Sequence, residues 1–114
     1  MKAYRKRPGR LLQQIDIPNT LEALQAEVLG YIEPVHVPGL DCLMIVNEEG
    51  RIKRMPENFL VWASFGVEQI VGPAIFIGQD GEEFTDCPLS FEELRDWMAE
   101  HCECYDMEEG PACI

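Results

Sequence analysis

The sequence predicts an α+β fold: a small mixed, mainly antiparallel sheet, with one helix after the first hairpin, a short helix mid-chain and a C-terminal helix. Three observations lead there. Short apolar runs are bounded by turn pairs such as Pro8-Gly9, Pro38-Gly39 and Asp80-Gly81. Two segments open with capping residues and continue with helical spacing. The 114 residues are 46% hydrophobic and 26% charged, as in chains that bury a core without a metal or disulfide staple.

Residues 2–7 and 11–17 read as two strands joined at Pro8-Gly9, where Pro presets φ and Gly accepts a positive one. Asn19 is placed to cap a helix over about 20–30, with Glu22 closing a capping box and Leu21, Leu24 and Val28 on one face. Gly30 is suited to end it. Residues 31–37 form a strand in which Pro34 removes a ladder donor, which argues for an edge or a bulge.

Asp41 to Val46 is apolar at every position after the first, as expected of a strand buried on both faces and central in its sheet. Asn47-Glu48-Glu49-Gly50 is a tight turn, with Arg51-Ile52-Lys53 as the returning strand. The run from Pro56 to Phe65 fits a short helix or a buried loop; we favour a helix at about 57–64. Strand character returns at Gln69–Val71 and Ala74–Ile77. Ser90 and Glu93 form a capping box opening a helix over about 90–102, with Phe91, Leu94, Trp97, Met98 and His101 or Cys102 on its apolar side. Residues 1–105 are thus expected to form one domain, followed by an acidic, frayed tail at 106–114.

The net charge of −12 is unevenly laid out: residues 1–10 carry +5 and residues 80–114 carry −11. A surface of this sign repels phosphate backbones, so direct nucleic-acid binding is not expected outside the basic first strand. That strand is also free to pair internally with acidic groups. The longest apolar runs fall far short of the roughly 20 residues that span a bilayer. No apolar leader follows the basic N-terminus, so no membrane role and a cytoplasmic location are expected. The 5 cysteines are odd in number and irregularly spaced, which favours reduced thiols.

No catalytic motif is present: no phosphate loop, nucleophile elbow, zinc-protease motif or dinucleotide fingerprint. His101, Cys102 and Cys104, with Cys113 or Cys87, offer soft ligands, yet a single C-x-C beside a helix end lacks the second knuckle pair of a zinc site. His36 has no neighbouring carboxylate in sequence. Adjacent acids in Glu48-Glu49 and Glu82-Glu83 point to different sides and make no dyad. No cofactor, metal or catalytic residue is therefore expected.

Three segments in order resemble the bacterial and phage family catalogued as domain of unknown function 3846. They are residues 20–25 with Gly30-Tyr31-Ile32-Glu33, residues 47–53 with Met55-Pro56-Glu57-Asn58, and residues 70–78. The resemblance spans residues from about 10 to 95 and implies a compact α+β domain carried by phages, plasmids and conjugative elements. It transfers no catalytic residue. It does single out Asn47, Glu48, Arg51 and Asn58 as a candidate polar binding site at one end of the sheet. Each has an ordinary role as well: Asn47 in an Asx turn, Asn58 as a helix cap.

The expected function is a non-catalytic accessory protein of a mobile element, acting on a protein partner as a monomer or homodimer. Two alternatives stand beside it. One is a nucleotide-like small-ligand binder using the Asn47–Asn58 loops. The other is an acidic DNA mimic presenting Glu92, Glu93, Asp96, Glu100 and Glu103.

Overall fold

The computed structural model describes residues 1–64 and 66–104. Its elements are β1 (Lys2–Lys6), β2 (Gln13–Asp16), α1 (Leu21–Val28), β3 (Ile32–His36), β4 (Leu43–Asn47) and β5 (Glu57–Ala63), followed by β6 (Gly66–Val71), β7 (Ala74–Asp80), β8 (Glu83–Thr85), α2 (Phe91–His101) and β9 (Cys102–Cys104). One sheet follows the path β2-β1-β7-β4-β3, with β8 paired to the end of β7; the second is β6-β5-β9. Every strand pairing among the described residues is antiparallel.

Strand periodicity explains the layers. Successive side chains of β4 point to opposite faces. Leu43 and Ile45 join Ala3, Ile75, Ile77 and, from α1, Leu24 and Val28. Met44 and Val46 join Tyr4 and Phe76 with Phe59, Val61 and Ile70 of the second sheet and Leu94 and Met98 of α2. The strand is apolar throughout because α1 covers one face of the large sheet while the small sheet and α2 cover the other. Burying each such side chain contributes about 1.5–3 kcal/mol.

Both edges of the large sheet differ from internal strands in sequence. The Pro34 strand is an edge, as expected. The sheet's centre, however, is β7 rather than β4, and β1 lies between β2 and β7. Which buried strand takes the middle depends on long-range pairing, which the apolar pattern does not encode.

Four local expectations are corrected. Residues 57–64 form no helix: Glu57–Ala63 is a strand, with Phe59 and Val61 buried and Trp62 outward, paired to β6 and β9. Its β-branched and aromatic content suits a pleated surface, and two flanking strands satisfy its backbone. Residues 51–53 form no returning strand. The Lys53 N–H donates to Glu49 O at 2.9 Å and the Met55 N–H to Gly50 O at 2.9 Å, so the chain winds through a tight turn after β4. The helix cap is Thr20, whose Oγ1 accepts the Ala23 N–H at 3.1 Å, while Asn19 donates its amide to Phe84 O at 2.8 Å. Finally, Leu29 takes the left-handed position that ends α1 (φ 66°).

The Ser90–Glu93 capping box is present, with both reciprocal bonds at 3.1 Å. After His101 the chain straightens at once, so Cys102 belongs to β9 instead of finishing the helix stripe. The acidic tail expected at 106–114 lies outside the described residues.

Candidate functional site

Asn47 and Asn58, the two amides singled out from the sequence, are both buried. At the end of β4, the Asn47 Oδ1 accepts the Glu49 N–H at 2.7 Å, which is the expected Asx turn. Its Nδ2 donates to Val28 O at 3.0 Å and Leu29 O at 3.2 Å, closing two carbonyls at the end of α1 that the helix cannot satisfy itself. The contact is close enough that a Cβ on Gly30 would lie 2.7 Å from Nδ2.

Asn58 sits at the start of β5 rather than at a helix cap. Its Nδ2 donates to Lys6 O at 2.7 Å and Gly72 O at 2.9 Å, and its Oδ1 accepts from Lys6 Nζ at 3.0 Å. Lys6 is fully buried and also donates to Arg7 O at 2.9 Å. Asn58 thereby joins the large sheet, the small sheet and the β6–β7 turn.

Asn47, Glu48 and Arg51 line one cleft of about 340 Å³ with Glu33, Glu68 and Gln69. Arg51 and Glu48 are exposed, and Arg51 donates to Gln69 O at 2.8 Å. Asn58 is not on this lining. The structure therefore brings three of the four candidates together, and the polar atoms of Asn47 are already committed to the backbone.

The basic first strand is largely used within the fold. Arg5 makes a two-pronged ion pair with Glu27 of α1, through Nε at 2.9 Å and through Nη2. Lys2 Nζ donates to Leu89 O at 3.1 Å, and its backbone N–H donates to Asp86 Oδ1 at 2.9 Å. Among the described residues, the first strand meets the acidic C-terminal third at Asp86, through the Lys2 backbone N–H. Glu92, Glu93, Asp96, Glu100 and Glu103 are all exposed.

Sequence reasoning missed the outer face of the small sheet. Trp62 is 51% exposed and pairs across the strands with Val67, 46% exposed, on the edge strand β6. Leu60 adjoins them, opposite Gln69 on one side and Glu103 on the other. Reading Phe59 to Ala63 with a period of two would have exposed this face; reading it as helix concealed it.

The thiols are also placed differently from expectation. Cys42, Cys87 and Cys102 are free, whereas Cys104 is disulfide-bonded, so the thiols are not all reduced. Burial pushes the Cys102 thiol up to about 12. Among the described residues no three His, Cys, Asp or Glu side chains are grouped to hold a metal ion. No helix among them is long and apolar enough to cross a membrane.

The sequence profile of the family described as Domain of unknown function (DUF3846) matches residues 1–100. The chain belongs to that family. The match takes in all of β1 to β8 and most of α2, including the Asn47 and Asn58 bonds that hold this DUF3846 domain together. No curated protein and no solved structure matches the chain.

Proposed function

We propose that this DUF3846 protein is a non-catalytic accessory protein of a mobile genetic element that binds a protein partner through the outer face of β6-β5-β9. The observation that carries this reading is the Trp62–Val67 pair, a half-exposed aromatic beside an apolar residue on an edge strand. Large aromatics cost stability and solubility on a free surface, and they anchor protein interfaces because they bury much area with little loss of side-chain freedom. Leu60 extends the patch, while Glu57 and Glu103 place acids beside it. The fitting partner is a protein surface with apolar and basic side chains. The mobile-element setting is what the family resemblance implies.

The test compares the unmodified chain with Trp62→Glu and Glu48→Lys in capture from host lysate, followed by direct binding of whatever is captured. A stoichiometric partner lost only with Trp62→Glu is expected. Its retention by Trp62→Glu, or its loss only with Glu48→Lys, overturns the assignment of this face.

The cleft of Glu33, Glu48, Arg51 and Glu68 favours a second reading, a small polar ligand carrying both charges. Binding to the folded state alone must raise the melting temperature. A nucleotide and metabolite panel that produces no shift removes this alternative.

A further inference from the structure

We propose that the free edge of β6 takes up an extended partner segment as an added antiparallel strand, one whose residues alternate between apolar and basic. The proposal rests on the protein-partner reading above and specifies the form of that partner. Among the described residues β6 has a strand neighbour on one side, β5. Alternate residues of an antiparallel strand aim both N–H and C=O to the same side. Arg51 Nη2 donates to Gln69 O at 2.8 Å from outside the sheet, so Val67 and Gln69 aim their backbone groups at the outer edge.

This edge divides two unlike surfaces. Val67 and Gln69 pair with Trp62 and Leu60, so their side chains lie on the outer face with that apolar patch. Glu68 alternates to the other face and lines the cleft, together with Glu33 of β3 and the apolar Val46 and Ile70. An added antiparallel strand keeps the same alternation. Its residues opposite Val67 and Gln69 bond to the edge and set their side chains beside Trp62, where apolar groups fit. The residues between them turn into the cleft, where Glu33 and Glu68 favour a cation.

Arg51 shows what the place accepts. Its guanidinium gives Gln69 O the donor that a partner strand's N–H would give, and it brings a positive charge into the cleft. Because Arg51 is exposed, an incoming strand can displace it. Until then it covers the edge, as charged side chains do on strands guarded against unwanted pairing.

The charge and the backbone both narrow the choice. The facing wall of the cleft is β3, where Pro34 has no N–H to contribute to a ladder, so β6 is the wall that can add a strand. A second copy of the chain would bring the same acids to the edge, where like charges repel. A separate segment carrying basic groups meets no such cost.

The test titrates the isotope-labelled full chain with a capped peptide of four Val-Lys repeats and follows its backbone amide resonances. Saturable shifts centred on Val67 and Gln69 are expected, with a Val-Glu peptide of the same length failing to bind. N-methylation of the valines, whose N–H groups face the edge, should weaken binding by about tenfold or more, whereas N-methylation of the lysines should leave it unchanged. Arg51→Ala should bind the peptide about fivefold more tightly, which is what one displaced hydrogen bond is worth. Four results overturn the proposal: no saturable binding, equal binding of the two peptides, equal loss from either set of N-methyl groups, or β6 shifts on concentrating the chain alone, which give the edge to a second copy. The outer face is judged separately by Trp62→Glu, since a partner can seat on that face without adding a strand.

Discussion

The carboxamide of Asn58 holds Lys6 at both ends, accepting from its ammonium at 3.0 Å and donating to its backbone carbonyl at 2.7 Å. One side chain on β5 thereby fixes the spacing of two sheets, because Gly72 O takes the amide's second proton at 2.9 Å. Asn58→Ala leaves two buried carbonyls without this donor and removes one acceptor from a buried ammonium. Each unsatisfied buried group costs about 1–3 kcal/mol. Urea unfolding is expected to report a loss of about 2–4 kcal/mol, with Asn58→Asp no better, since a carboxylate cannot donate to either carbonyl.

The Asn47 loop separates structure from surface. Asn47→Ala removes the Asx turn and the bonds to Val28 and Leu29, and a loss of about 2–3 kcal/mol is expected. Glu48→Ala and Arg51→Ala alter exposed groups and should shift stability by less than about 0.5 kcal/mol. Equal losses in all three would contradict the division drawn between them.

Gly78 is the position where the main chain is approached most closely. A methyl group 2.3 Å from Asp86 O cannot be accommodated unless residues 85–88 lift from β7. Gly78→Ala should therefore cost about 3 kcal/mol or more, at the upper end of overpacking. Gly81→Ala is a useful contrast. That site has open space and a φ of 63°, so only the backbone strain of about 1–2 kcal/mol is expected.

Cys102 makes a pH prediction with a definite sign. Its thiol is raised in the folded protein from 9.0 to about 12 by burial, offset in part by the charge of Lys6. Below about pH 9 both states keep the proton and the thiol has no pH-dependent effect. Between about 9 and about 12 the unfolded thiol ionises while the folded one does not, so stability falls as pH rises. Cys102→Ala should show a shallower decline over that window in parallel urea titrations. Identical slopes would remove the assignment.

Composition, capping residues and turn pairs determine much of this protein. The Ser90–Glu93 box, the Asx turn at Asn47, the Pro34 edge and the doubly buried strand ending at Val46 are all visible in the sequence, because each is set by residues within a few positions of one another. Only the tertiary structure decided that residues 57–63 extend into a strand, that β7 takes the centre, and that Asn58 binds Lys6 across 52 positions. It also laid Asp86 and Pro88 against Gly78. The reason is physical: a short apolar run satisfies its backbone equally well as helix or strand, and the choice falls to the partners that arrive from distant parts of the chain.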